Sequence, residues 1–92
     1  MTQPDLSVVI CTYNRPELLR LALTTLLRQS PANLTYEVIV VDNNSTPETR
    51  AVVDELAQTD SRVRYIRETR QGNAYARNTG VAQSRADRRL SR

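Results

Sequence analysis

Two short polar runs hold the side chains most capable of chemistry in this sequence, Thr12-Tyr13-Asn14-Arg15 and Asp42-Asn43-Asn44-Ser45. The first offers a hydroxyl, an aromatic ring, an amide and a guanidinium in succession; the second places a carboxylate beside an amide. A heterocyclic base stacks on a tyrosine ring, and carboxylate or amide groups pair with base N–H groups or ribose hydroxyls. Composition alone leaves two readings of the first run: a ligand loop of this kind, or a solvated loop with Tyr13 lying on a sheet edge. No glycine occurs from Thr12 to Pro16. A backbone that closes on a pyrophosphate needs one, so neither a dinucleotide fingerprint nor a P-loop fits.

Both runs follow apolar segments. Val38-Ile39-Val40-Val41 is a β-branched run too short for an ordinary helix, and it reads as a strand buried on both faces, the kind found in parallel sheets covered by helices. Leu6 to Cys11 is a second such strand. Ligands of open α/β sheets bind in the crevice outside the carboxyl ends of the strands, which places Asp42 and Asn43 at a site by topology. Between the strands, Pro16 and Glu17 suit a first helical turn with Asn14 or Arg15 at its cap. Leu19, Leu23, Leu26 and Leu27 recur at helical spacing to about Gln29. Ser45 with Glu48 forms a capping-box pattern, and Val52, Val53, Leu56 and Ala57 face a second helix running to about Gln58. Arg62 to Ile66 alternates charged and apolar residues, as a half-covered strand near an edge does. Asn73 is expected to cap a third helix with a small face of Ala74, Ala76, Gly80, Val81 and Ala82. The order strand, helix, strand, helix, strand, helix predicts an α/β fold with right-handed crossovers and a doubly wound, Rossmann-like parallel sheet.

Bulk properties narrow the function classes. The chain has 92 residues, 39% hydrophobic and 25% charged, in keeping with one soluble globular domain. Its net charge of +3 resides in the last ten residues, which hold four arginines and one aspartate; the preceding 82 hold nine of each sign. A nucleic-acid binder carries a basic stripe on its folded surface, so no specific nucleic-acid partner is expected beyond a possible property of the tail. With one cysteine and no histidine, an internal disulfide and a typical zinc site are excluded. Cys11 reads as a small buried hydrophobe. No leader pattern opens the chain and no run approaches a membrane span, giving a cytoplasmic expectation.

Three segments in order, Ser7 to Arg15, Glu37 to Thr46 and Arg70-Gln71-Gly72-Asn73-Ala74-Tyr75-Ala76-Arg77-Asn78-Thr79-Gly80, resemble the opening of a family 2 glycosyltransferase. The resemblance covers residues 6 to about 87. It implies a GT-A fold and transfer of a sugar, with inversion, from a nucleotide diphosphate sugar to an acceptor hydroxyl. It further implies that Thr12 and Tyr13 flank the base, usually uracil, and that Asp42 and Asn43 contact base and ribose. Asn14 and Arg15 belong to the same nucleotide loop, and Arg77 lies close to it. A UDP-sugar is thus the expected donor, and the acceptor is unassigned.

The same resemblance sets expectations about the end of the chain. Residues 1–87 are expected to be the donor-binding part and 88–92 a divergent arginine-rich tail. The family's Asp-rich motif, which holds Mg or Mn, has no counterpart here, nor has the carboxylate that serves as general base; no metal site or catalytic residue is therefore assigned to this chain. The switch to Arg88-Arg89-Leu90-Ser91-Arg92 suggests a truncated or frameshifted reading frame, with the 92-residue chain as a non-catalytic binding fragment. A fourth strand beside the first is expected to be missing, leaving Leu6 to Cys11 as an exposed edge prone to aggregation. The tail is expected to be solvated, with Arg85, Arg88, Arg89 and Arg92 on one side if the third helix continues. Arg70 is expected to be solvated rather than to reach a diphosphate.

Overall fold

The computed structural model describes residues 3–91. Strands and helices alternate as β1 (Leu6–Thr12), α1 (Pro16–Leu27), β2 (Tyr36–Asp42), α2 (Pro47–Thr59), β3 (Val63–Arg67), α3 (Asn73–Gln83) and β4 (Arg88–Ser91). All strand pairs are parallel and the sheet order is β3-β2-β1-β4. The expected Rossmann-like sheet is present, and β3, whose charges alternate, lies at an edge. The seven residues of β2 are buried throughout, as the unbroken β-branched run requires.

Side-chain parity divides the core into two layers. Val8, Ile10, Val38, Val40 and Val63 point to one face and meet Leu19 and Leu23 of α1 and Val52 and Val53 of α2. Val9, Ile39 and Val41 point to the other face and meet Ala76 of α3. α3 lies close to the sheet because Gly80 faces it: a Cβ there would lie inside the contact distance of Val9 Cγ1 and 3.1 Å from Val41 Cγ2. Of the expected small face, Ala76 and Gly80 are buried, whereas Ala74, Val81 and Ala82 are exposed.

Helix starts differ from expectation in two places. α2 is capped at Thr46, not Ser45, because the Ser45 hydroxyl instead accepts the Asn14 N–H at 2.8 Å. α3 has Gly72 at its cap, with φ 134° that glycine tolerates and L residues rarely adopt, and Asn73 is its first residue.

The largest correction concerns the tail. α3 stops at Gln83, and β4 pairs with β1 from Leu6↔Arg88 to Val9↔Ser91. The fourth strand exists, so Leu6 to Val9 is covered, and the arginines form no helical row; Arg92 lies outside the described residues. Apolar content does not explain this strand, but backbone capture does. The buried Glu37 carboxylate accepts from Ser7 Oγ at 2.5 Å and from Arg85 N–H at 2.6 Å. Ser7 Oγ in turn accepts the Ala86 N–H at 3.1 Å, and Arg64 Nη1 donates to both Glu37 Oε1 and the Gln83 carbonyl. One side chain each from β1, β2 and β3 thereby holds the connection that delivers β4.

Candidate functional site

The loops leaving β1, β2 and β3 meet at the carboxyl end of the sheet and are tied to one another. Asn14, with φ 50°, donates its N–H to Ser45 and accepts the Thr46 N–H on Oδ1 at 2.8 Å. Asn43 N–H donates to the Thr12 carbonyl and Glu68 N–H to the Asp42 carbonyl, each at 2.8 Å. These bonds extend the sheet by one residue beyond its strands.

Asp42 is fully buried. Its Oδ1 accepts the Ser45 N–H at 2.8 Å, and Oδ2 accepts the Tyr65 hydroxyl at 2.5 Å with Arg67 Nη1 3.7 Å away. A buried carboxylate needs this set of donors. Burial and the neighbouring Asp42 carboxylate push the Tyr65 hydroxyl upward in pKa, which keeps it a donor. Asn43, also buried, spends its whole amide inside the protein. Nδ2 donates to the carbonyls of Glu68 at 3.1 Å and Arg70 at 2.7 Å, and Oδ1 accepts the Gly72 N–H at 2.9 Å. The two groups at the end of β2 thus form the inner frame of the site.

The accessible groups lie nearer β1. A groove of about 590 Å³ opens between the end of β1 and α1, lined by Cys11, Thr12, Tyr13, Arg15 and Leu18, with Asn73 at the start of α3. Tyr13 is 50% exposed, so a ring face is free for stacking. Cys11 is only partly buried; burial pushes its thiol up while the Arg77 charge pulls it down, which puts Arg77 within electrostatic reach of the end of β1. The fold therefore brings Thr12, Tyr13 and Arg15 into one groove, puts Arg77 within electrostatic reach of Cys11, and keeps Asn14, Asp42 and Asn43 engaged as cross-links between the loops.

Sequence reasoning missed Tyr65 and Glu68. Tyr65 was findable: Arg67 lies opposite Asp42, so strand parity puts Tyr65 on the Asp42 face. Glu68 carried no such signal. It exposes 7% of its surface and takes four bonds: Thr79 Oγ1 at 2.5 Å and Arg70 Nη2 at 2.9 Å on Oε1, Arg70 N at 2.9 Å and Nε at 3.1 Å on Oε2. The Arg70 guanidinium and the Thr79 hydroxyl hold its carboxyl down at about 2. Arg70 is solvated as expected, its side chain 65% exposed, while its guanidinium pairs with Glu68 and lies 4.7 Å over the Tyr75 ring.

A four-stranded parallel sheet with helices on both faces defines a Rossmann-like α/β domain, and comparison with known proteins makes the family specific. The profile of Glycosyl transferase family 2 matches residues 7–89, and the chain belongs to that family. It is 36% identical over 83 residues to the GalNAc(5)-diNAcBac-PP-undecaprenol beta-1,3-glucosyltransferase of Campylobacter jejuni, covering 88% of this chain and 26% of that protein. It is 45% identical over 80 residues to validoxylamine A glucosyltransferase of Streptomyces hygroscopicus, covering 85% of this chain and 17% of that one. The mannosyltransferase PcManGT of Pyrobaculum calidifontis, solved with GDP-Man and Mn2+, superposes with a TM-score of 0.77 at 32% identity, over 90% of this chain and 25% of its own. The chain thus spans between 17% and 26% of the length of these three proteins.

Among the described residues no three His, Cys, Asp or Glu side chains converge, and the oxygens of Asp42 and Glu68 are already engaged. These residues do not fit a divalent cation. No helix among them is long and apolar enough to cross a membrane.

Proposed function

We propose that this chain holds the nucleotide of a nucleotide diphosphate sugar in the groove at the end of β1, as the donor-binding portion of a glycosyltransferase that passes a sugar to an acceptor hydroxyl with inversion. The observation that carries this reading is the half-exposed Tyr13 ring in a groove of about 590 Å³ with Thr12 and Arg15 beside it. Tyr13 stacks on the base, and Thr12 with the strand-end backbone pairs to its edge. Arg15 and Arg77 meet the phosphates through charge-assisted bonds. Asp42, Asn43 and Asn14 act from behind, by fixing the loops that carry these groups. The resemblance in sequence favours a UDP-sugar, and the likeness to PcManGT, solved with GDP-Man, brings in a guanosine donor; a tyrosine face serves both bases.

An inverting transfer also needs a base for the acceptor proton and a positive charge on the leaving diphosphate. The carboxylates framing this site are committed to internal donors, so the described residues bind the donor and do not activate the acceptor. We place the chain in the cytoplasm; with a single cysteine it needs no oxidising compartment to fold.

Titration of the protein with UDP and with GDP, with and without Mn2+, tests this reading. Saturable, metal-independent binding is expected, and Tyr13→Ala weakens it by about 1–3 kcal/mol, the worth of a base stacked on an aromatic ring. Failure of both nucleotides to bind, or unchanged affinity in Tyr13→Ala and Arg77→Ala, would sink it.

A further inference from the structure

The carbonyls and amides of residues 68–72 are held from two sides. From β2, the Asn43 amide takes the Glu68 and Arg70 carbonyls and the Gly72 N–H. From within, the Glu68 carboxylate takes the Arg70 N–H and side chain and reaches across to Thr79 on α3. Gln71 Nε2 closes the loop on the Asn43 carbonyl at 2.7 Å. Nothing here faces the groove, yet the segment ends at Asn73, which lines it, and Arg77 follows one turn later. The start of α3 can shift relative to β1 only if this joint opens.

We infer that Glu68, acting with Asn43, is a positioning residue for the phosphate end of the donor site: it sets the start of α3, and hence Asn73 and Arg77, against the β1 groove. The inference rests on the nucleotide reading above for its ligand, but the joint exists without it. Four donors converge on the Glu68 oxygens, so glutamine in its place offers one acceptor and turns an NH2 group towards donors. The start of α3 then loosens while both core layers, which Glu68 does not enter, keep their packing. Base stacking on Tyr13 belongs to the β1 loop and is spared. The predicted consequence is a split: affinity for a nucleoside diphosphate falls, and affinity for the nucleoside of the same base does not.

The test compares the unmodified 92-residue chain with Glu68→Gln by amide exchange, thermal melting, and NMR titration with UDP, GDP and the matching nucleosides. Expected are exchange that quickens most from Gly72 to Arg77, a melting temperature lowered by loss of the ionised carboxylate but with the transition still cooperative, and diphosphate binding weaker by roughly five-fold or more, about 1 kcal/mol, with nucleoside shifts unchanged. Equal diphosphate affinity in both proteins, or a parallel loss of diphosphate and nucleoside, overturns the inference. If the unmodified chain binds no nucleotide, the proposed function falls on that result alone. Exchange in the free proteins then decides the joint: selective loosening from Gly72 to Arg77 supports it, and unchanged or global exchange overturns it.

Discussion

Asp42 illustrates how much a single position costs to maintain. A carboxylate with no exposed surface survives at the end of β2 because the Ser45 amide and the Tyr65 hydroxyl satisfy one oxygen each. Hydrogen bonds to charged groups contribute ~1.5–3 kcal/mol, so Tyr65→Phe is expected to lower the unfolding free energy by about that amount, read from the urea midpoint at constant m. Glu68 gives a pH prediction. Its carboxyl, ordinarily at 4.5, is held at about 2 in the folded protein by the Arg70 guanidinium, then by Thr79. A depressed folded-state value means that its stabilising effect is complete above pH 4.5 and is lost as the pH falls towards 2. The Gly72 and Thr79 amide resonances should shift across that window and stay flat in Glu68→Gln. The sequence exposed Asp42 and Tyr13 because a strand end and a free aromatic announce themselves locally. It hid the spending of Asn43, since an amide's partners 25 and 27 residues away along the chain depend on how three loops meet.

Elements were more legible than their joints. Unbroken β-branched runs and leucines at helical spacing are governed by burial, and burial periodicity is written directly in the residues, so β1, β2, α1 and α2 stood where expected. Caps depended on competition for side chains: Ser45 was taken by Asn14, which left Thr46 to begin α2. β4 was missed because Arg88 to Ser91 has one apolar residue and forms by pairing with β1 under the hold of Ser7 and Glu37. Ser7→Ala strips the buried Ala86 N–H of its acceptor, a loss of about 1–3 kcal/mol, and the amides of β4 should exchange faster than those of β2. The packing of α3 offers a second check. Gly80→Ala drives a methyl into Val9 and should destabilise by ~1–3 kcal/mol in chemical denaturation.

At the scale of the molecule, two apolar layers, one on each face of the sheet, support a polar rim where three loops converge. The family is plain from residues 7–89 and from relatives of which this chain spans about a quarter. Its fold explains the division of labour at the rim. Asp42 and Asn43 face inwards and, with Asn14, Ser45 and Glu68, tie the loops together, whereas Thr12, Tyr13 and Arg15 line the open groove. The most direct measurement of this arrangement is a map of amide shifts on adding UDP or GDP to the chain. The predicted result is a contiguous set of shifts at Thr12 to Arg15 and Gly72 to Arg77, with the opposite end of the sheet around Glu37 and Arg85 silent. No shifts with either nucleotide, or shifts centred on Glu37 and β4, would contradict it.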